Sequence, residues 1–225
     1  MKTVSVAIDG PAGAGKSTIA RRLASQLGFR YVDTGAIYRT VAYFMDLWGV
    51  SPKDADGVNR YIDELTVGIE YDEDGLQHMI MNGMDVTGDI RTQDISQKAS
   101  LISAHACVRE MLLDMQRDLA KQYNVIMDGR DIGTVVLPKA TVKIFLTASA
   151  EVRAKRRCEE LLAKGQKAKY ETVLKEIQQR DYQDTHREIA PLKMARDSIK
   201  VDTSEMNVDE VVAEILKIVQ EKAGL

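Results

Sequence analysis

The segment Gly10-Pro-Ala-Gly-Ala-Gly-Lys16-Ser17 constrains this chain more than any other. It fits G-x-x-x-x-G-K-[ST], a loop whose backbone N–H groups wrap phosphate oxygens and which works only between a strand and a helix. Both neighbours read correctly. Residues 4–9 are a short apolar run ending in Asp9, typical of a buried parallel strand. After Lys16, the positions Ile19, Leu23 and Leu27 recur at helical spacing. At ordinary residue frequencies a random match somewhere in 225 residues has odds of roughly 1 in 100, and the strand–loop–helix context lowers them several-fold. ATP phosphates are therefore expected on Gly10, Pro11, Ala12, Gly13, Ala14, Gly15, Lys16, Ser17 and Thr18. Lys16 would reach the β and γ phosphates, and the Ser17 hydroxyl would ligate Mg²⁺ directly.

The rest of the chain continues a strand–helix rhythm. A strand at residues 29–32 leads to Asp33-Thr34-Gly35 and a helix with Ile37, Val41, Met45 and Trp48 along one face. Residues 51–65 are polar and helix-compatible. Residues 66–71 and 77–81 then alternate like exposed strands about the turn Asp72-Glu73-Asp74-Gly75. Helical spacing returns at Val108, Met111, Met115 and Leu119, and apolar strands follow at 124–127, 142–146 and 198–201. A last helix turns Val208, Val211, Val212, Ile215 and Val219 inward. The expectation is an α/β fold: a P-loop parallel sheet wrapped by helices, with an inserted small α+β subdomain and a lid segment. The whole of 1–225 reads as one domain. Its core takes about 1–49, 93–150 and 185–225, the insert about 50–92 and the lid about 151–184.

Composition narrows the partners. With 29% charged residues and a formal net charge of −3, no global basic field points to nucleic acid or a membrane surface, so an anionic ligand must be held by local clusters. No apolar run approaches the ~18 residues of a membrane span. Cys107 and Cys158 match no metal spacing and suit reduced thiols. A strand already begins within residues 2–8, so no leader is expected and the compartment is read as the cytoplasm. A monomer is expected.

Acidic and basic residues fall where such a sheet binds ligands. Residues 124–128, Asn-Val-Ile-Met-Asp, form an apolar strand ending in a carboxylate, the Walker B pattern. Asp128 would stand at the sheet's carboxyl edge and accept from a Mg²⁺-bound water. Arg39 lies one turn into the helix after Asp33, and Arg130 directly follows the Asp128-Gly129 turn. Arg180, Asp184 and Arg187 continue the stripe begun by Val173 and Ile177, as though a core-facing stripe passed into a polar cleft. Guanidinium forks suit phosphate because they are planar, charged and bidentate. Arg153, Arg156 and Arg157 share one helical face just before the break at residues 164–169. They are either a solvated face or the arginines of a mobile lid that neutralises a transferring phosphoryl group.

Together these residues resemble the bacterial cytidylate kinases, of the nucleoside monophosphate kinase superfamily, over essentially the whole chain. The family's signature stretches stand here as Asp9-Gly-Pro-Ala-Gly-Ala-Gly-Lys-Ser-Thr18, Asp33-Thr-Gly-Ala-Ile-Tyr-Arg39, Gly88-Asp-Ile-Arg91 and Asp128-Gly-Arg-Asp-Ile-Gly-Thr134. Val142-Lys-Ile-Phe-Leu146 and the run from Arg180 through Arg187 to Leu192 complete the set. The resemblance implies transfer of a phosphoryl group from Mg·ATP to CMP or dCMP, with the insert on the monophosphate side. It implies that Thr34, Tyr38, Arg39, Ser100, Arg109, Arg130, Asp131, Arg180, Asp184 and Arg187 line the acceptor site. Arg39, Arg130 and Arg187 would hold its phosphate, Arg180 and Asp184 would meet the sugar, and Ser100, Arg109 and Asp131 would read cytosine. Position 34 carries Thr where the family often has Ser, and the hydroxyl is kept. Lys16, Arg130, Arg153, Arg157 and Arg187 are the expected catalytic residues, with Arg153 and Arg157 in the lid.

A P-loop kinase of another small acceptor, such as dephospho-coenzyme A or shikimate, stays open, as does a nucleotide-binding switch. Against the switch, the chain has no guanine-reading Asn-Lys-x-Asp motif. Against the other kinases stand the inserted hairpin and the several arginines placed to receive an acceptor already bearing phosphate. Lys16→Ala is expected to remove most phosphoryl transfer while leaving the thermal unfolding transition in place, because its partners are ligand phosphates. Near-normal turnover in that variant would overturn the P-loop assignment.

Overall fold

The structure, a computed structural model, describes residues 3–163 and 165–225. Residues 1 and 2, expected near the first strand, and Lys164, expected at the break before the lid's second helix, lie outside the described residues. The chain opens with β1 (Ser5–Asp9), the glycine loop and α1 (Lys16–Leu27), then β2 (Arg30–Asp33) and α2 (Thr34–Leu47). Next come α3 (Ala55–Tyr61), a 3₁₀ turn at Ile62–Glu64, and the strands β3 (Val67–Tyr71), β4 (Gln77–Met81) and β5 (Met84–Asp85). Helices α4 (Gln93–Ile102) and α5 (Ala106–Gln122) lead to β6 (Val125–Gly129), a π-helical turn at Ile132–Val136 and β7 (Val142–Thr147). Helices α6 (Ala150–Ala163) and α7 (Tyr170–His186), strand β8 (Ile199–Asp202) and helix α8 (Val208–Ala223) complete it.

The main sheet has five strands in the order β2-β6-β1-β7-β8, and every pairing in it is parallel. Alternation along β1 fills both faces. Val6 and Ile8 enter a core with α1 and α8, through Leu23, Ile215 and Val219; Ala7 enters the opposite core with Ile37, Val41 and Leu112. Since β1 is central and its neighbours continue through crossovers in opposite directions, its carboxyl end is the switch point where such sheets bind ligands. Local signals set the helix ends. Asp33 caps α2 by accepting from the Ala36 N–H, and Asn207 and Glu210 form a capping box on α8.

The strands β3-β4-β5 form a separate antiparallel sheet, with β3 and β4 paired from Val67↔Met81 to Tyr71↔Gln77. This sheet has no core of its own. Met79, Met81, Val58, Ile62 and Ile90 share one apolar cluster with α2, α4 and α5. Helices α6 and α7, by contrast, pack on each other through a small cluster of Ala154, Val173 and Ile177.

Three expectations need correction. Val208, expected inward on the last helix, is exposed at the first position of α8, where the chain has only begun to turn onto the core. Trp48 does not extend the buried face of α2: the helix ends at Leu47, and Trp48 is 55% exposed, tilted against Phe44 and Tyr61. A large ring at a helix end can cover neighbouring aromatics and stay in contact with water. The buried stripe of α5 is Val108, Leu112, Gln116 and Ala120, one step round from the expected Met111, Met115 and Leu119, which are only partly buried. The polar Gln116 concealed that stripe; its amide is satisfied locally by donating to the Leu112 carbonyl at 3.0 Å.

Gly10 is where β1 must end so that the loop can turn over the sheet. A Cβ there would lie 1.9 Å from the Leu146 carbonyl oxygen of β7, a backbone atom that cannot step aside. Gly10→Ala is expected to destabilise the fold by at least ~2 kcal/mol in urea unfolding, the overpacking scale, and to abolish nucleotide binding. Wild-type stability would mean that the two strands separate freely at this point.

Candidate active site

Two groups of polar side chains meet at the carboxyl edge of the sheet. The first surrounds the glycine loop. Lys16 is buried at the head of α1 and donates from Nζ to the Pro11 carbonyl at 2.7 Å, folding back over its own loop. Ser17 Oγ donates to Asp128 Oδ2 at 2.9 Å, and Tyr31 Oη donates to Asp128 Oδ1 at 2.8 Å. Burial, then the charge of Arg130, pushes the Lys16 ammonium well below the usual lysine range. Burial, with Asp33 nearby, pushes Asp128 up. Charges buried this way call for a counter-ion.

The second group is a network of arginines and carboxylates from α5, the β6 end, α7 and the segment beyond it. Asp131 is buried between two guanidiniums: Arg109 Nη2 donates to Oδ2, and Arg187 Nη2 approaches Oδ1 at 3.5 Å. Asp184, also buried, accepts from Arg130 Nε at 2.7 Å, and Ser100 Oγ lies 3.5 Å from it. Ser103 closes the ring, its carbonyl accepting from Arg109 and its hydroxyl from Arg187, each at 3.0 Å. Tyr38 lies beneath the Arg109 guanidinium at 5.6 Å, and burial raises its hydroxyl to about 12. Burial raises Asp131, while for Asp184 the neighbouring Arg130 and Arg180 outweigh burial and hold it low. Burial and then Arg130 press Arg180 down to about 10.

Arg39 pairs with Asp33 at the end of β2. Its Nη2 donates to Asp33 Oδ2 at 2.9 Å, and Gly35 makes room for this fold-back, since a Cβ there would sit 3.1 Å from Arg39 Nη1. Thr34 Oγ1 donates to the Asp128 carbonyl at 2.7 Å and ties the start of α2 to the end of β6. Two guanidinium nitrogens, Arg39 Nε and Arg180 Nε, are buried without a partner. Unsatisfied buried donors on cations are what an anion-binding site presents before its anion arrives.

The three arginines of α6 separate. Arg153 is buried and fully engaged: Nη1 donates to the Ala12 carbonyl of the glycine loop at 2.9 Å, and the fork grips Asp181 at 3.0 and 2.5 Å. Arg156 turns away to Thr203 and the Met206 carbonyl. Arg157 pairs with Glu160 at 2.8 Å along its own helix and does not join the cluster. Several contributors escaped the sequence reading. Tyr31 is one apolar-looking residue in a strand, Ser103 a turn residue, and Asp181 the neighbour of a residue already singled out. Asp9 is another: buried, pushed up to about 6 by burial, it accepts from the Ile132 and Gly133 N–H groups at 2.8 and 2.7 Å. It thereby fixes the turn after Arg130 and Asp131. Its signals were a carboxylate ending an apolar strand and its place at the head of the glycine-loop signature.

A glycine loop with a buried lysine, at the carboxyl edge of a five-stranded parallel sheet, defines a P-loop phosphate-binding protein. In fold alone, the chain resembles a crystal structure of an uncharacterized protein from Eubacterium ventriosum, with TM-score 0.52 and 14% identity over 97% of this chain and 99% of that one. Sequence comparison is more specific. The family model for cytidylate kinase matches residues 6–221. The cytidylate kinase of Carboxydothermus hydrogenoformans is 49% identical over 96% of this chain and 97% of its own length. That of Clostridium tetani is 45% identical over 96% and 94%. The chain belongs to the cytidylate kinase family.

Asp131 is the hinge of the arginine network, since its removal leaves Arg109 and Arg187 facing each other in a buried place. Asp131→Ala is expected to lower unfolding free energy by about 3 kcal/mol, the scale for orphaning a buried charge. A loss under ~1 kcal/mol in urea titration would mean that water already screens these guanidiniums.

Proposed function

We propose that this chain transfers the γ-phosphoryl group of ATP to CMP or dCMP, giving ADP and CDP or dCDP. The observation that supports it best is the arginine cluster itself: Arg39, Arg130, Arg180 and Arg187 converge beside the glycine loop, with two buried N–H groups left without a partner. Water or a neutral sugar hydroxyl does not need that much fixed positive charge. An acceptor already carrying a phosphate does, and this favours a nucleoside monophosphate over a shikimate-like acceptor.

In this reading Gly10 to Thr18 hold the donor phosphates, with Lys16 on their outer oxygens. Ser17 and Asp128, an adjacent hydroxyl and carboxylate, fit the oxygen ligands Mg²⁺ prefers. Among the described residues no group of three or more His, Cys, Asp or Glu could form an all-protein cage, which suits an ion held mainly by nucleotide phosphates and water. Mg²⁺ would supply charge neutralisation on the bridging phosphates. Arg39, Arg130 and Arg187 hold the acceptor phosphate, Arg180 and Asp184 face its sugar, and Ser100, Arg109 and Asp131 face the base. Thr34 and Tyr38 shape the entrance through Asp128 and Arg109.

The reacting oxygen of the acceptor phosphate is anionic near neutral pH, so no side chain need remove a proton. Catalysis is alignment and charge neutralisation by Lys16 and the arginines. Residues 50–92 would close over the acceptor and residues 151–184 over the donor, excluding water that would otherwise hydrolyse ATP. Arg153 already joins α6 to the glycine loop, while Arg157 would have to leave Glu160 to act on a phosphate. The same reading places the enzyme in the cytoplasm as a monomer. No helix among the described residues is long and apolar enough to cross a membrane.

Base choice gives the discriminating test. Cytosine offers an N4 amino donor where uracil offers the O4 acceptor, so a carboxylate attracts one and repels the other. In this structure both Asp131 oxygens already meet guanidiniums, so its second lone pairs, or a rearranged Arg187, would have to serve the base. ADP release from Mg·ATP across CMP, dCMP, UMP, AMP, GMP and shikimate should show strong preference for the cytosine substrates. Asp131→Asn should lower the CMP-to-UMP ratio of kcat/KM at least ~10-fold, about 1.4 kcal/mol. An unchanged ratio, with equal losses on both, would make Asp131 a brace for Arg109 and Arg187 only. Preference for a non-cytosine acceptor in the unmodified chain would overturn the function itself.

A further inference from the structure

We infer that Gln77, on the antiparallel sheet, is a positioning residue for the acceptor phosphate: its carboxamide clamps the backbone of Asp33 and, through the Asp33 carboxylate, sets the guanidinium of Arg39. The inference rests on the reading of Arg39 as a phosphate-holding group.

Strand β2 is an edge of the main sheet. Asp33, its last residue, faces Asp128 of β6 on one side, and no strand pairs with it on the other. Gln77 fills that place. The Asp33 N–H donates to Gln77 Oε1 at 2.7 Å, and Gln77 Nε2 donates to the Asp33 carbonyl at 3.3 Å. A carboxamide has the donor and acceptor of a peptide unit, so one side chain stands in for one residue of a neighbouring strand. Gln77 is buried on a strand whose other inward positions are Met79 and Met81, where a polar residue is out of pattern unless its amide is used. Its cross-strand partner, Tyr71, makes the adjoining contact two residues back along β2, donating from Oη to the Tyr31 carbonyl at 3.0 Å.

From Asp33 the connection runs straight to the site. Asp33 Oδ1 caps α2 at the Ala36 N–H, 2.8 Å away, and Oδ2 receives Arg39 Nη2 at 2.9 Å. A Cβ at Gly35 would lie 3.1 Å from both Asp33 Oδ1 and Arg39 Nη1, so the pair packs closely over that position. A shift of Asp33 therefore moves the cap and the guanidinium together. Misplacing a phosphate-holding group by ~1 Å can cost on the order of 100-fold in rate.

Gln77→Glu tests this without changing size. As a carboxylate, the substituted side chain accepts from the Asp33 N–H but opposes the Asp33 carbonyl with a second acceptor. Protonated, it regains a hydrogen for that carbonyl and restores the clamp. The other titratable or charged groups around the joint are Tyr31 and Asp33 of β2, Arg21 of α1, Arg39 of α2, Tyr71 of β3, His78 of β4, Arg91, and Asp128 of β6. All are present in wild type, so rates expressed relative to wild type at each pH cancel them.

At about pH 8 we expect kcat/KM for CMP to fall about 10- to 100-fold, mainly through KM for CMP, with KM for ATP within about 2-fold. At about pH 5.5 the deficit should shrink to within about 3-fold, whereas Gln77→Met, apolar and of similar length, should show no recovery. Tyr71→Phe removes only the neighbouring docking bond and should leave KM for CMP within about 2-fold of wild type. Thermal unfolding at both pH values separates a folded, mispositioned variant from an unfolded one; if Gln77→Glu is unfolded at the higher pH, the Gln77→Met and Tyr71→Phe comparison decides. The inference is overturned by a pH-independent deficit, by equal losses toward ATP and CMP, or by a Tyr71→Phe effect as large as that at Gln77. Arg39→Lys is the control for the underlying reading. If it leaves KM for CMP unchanged, Arg39 does not hold the phosphate, and that reading fails instead.

Discussion

The structure depends on holding many like charges at one end of a sheet without their ligands. Lys16, Arg39, Arg109, Arg130, Arg180 and Arg187 all approach the carboxyl edge, most of them shielded from water. At ~4 Å and an effective dielectric of about 20, each pair of like charges costs on the order of 4 kcal/mol. Three carboxylates separate them: Asp33 takes Arg39, Asp131 takes Arg109 and Arg187, and Asp184 takes Arg130. These pairings are exchangeable, since each guanidinium keeps further donors, and at Arg39 and Arg180 one donor stays empty. On the proposed function, an acceptor phosphate would enter by taking over guanidinium donors, its own charge offsetting the excess of arginines over carboxylates. The basic field is local and mostly neutralised, which reconciles it with the acidic composition of the chain.

The donor and acceptor halves share one strand, β6. Its last residues give Asp128 to Ser17 and Tyr31 on one side, and Arg130 and Asp131 to the arginine network on the other. Asp9 fixes the turn that follows, through two backbone N–H groups from a position beside the glycine loop. The spacing between the glycine-loop group and the arginine network is thus set by backbone in the middle of the sheet. On the proposed function, that would suit a reaction whose nucleophile is already charged and whose barrier is lowered by alignment.

Much of this was legible in the sequence because it is written in local order. The glycine loop needs one spacing, the strands need apolar runs, and a carboxylate or arginine after an apolar strand falls at the carboxyl edge by topology. Arg39 and Arg130 were placed at that edge this way, and Asp131 through the family resemblance. Pairings were not legible, because they join residues distant in the chain: Arg153 with Asp181, Gln77 with Asp33, Tyr31 with Asp128. The three arginines of α6 show the limit most clearly. Their spacing puts them on one face, yet Arg153 turns to the glycine loop, Arg156 to the end of β8 and Arg157 to its own helix. Helical spacing gives a direction to within a turn, and a guanidinium on a long stem chooses among whatever acceptors lie within that arc.

Arg153 also ties α6 to the glycine loop. It spans from α6 to the Ala12 carbonyl and to Asp181 on α7, so both helices of the segment are referenced to the glycine loop. A carbonyl facing into the loop is a poor neighbour for phosphate, and a guanidinium that occupies it turns the loop's remaining dipoles in favour of the anion. Asp181, beside Arg180 in sequence, gives the same helix a second role. One residue joins it to the donor side, while Asp184, most of a turn later, joins it to Arg130 on the acceptor side. A rotation of α7 about its axis would move both pairs at once. On the proposed function, α7 would thereby link the arginines of the two sides through one element, as a two-substrate transfer needs if neither phosphate is to meet water while the other is absent.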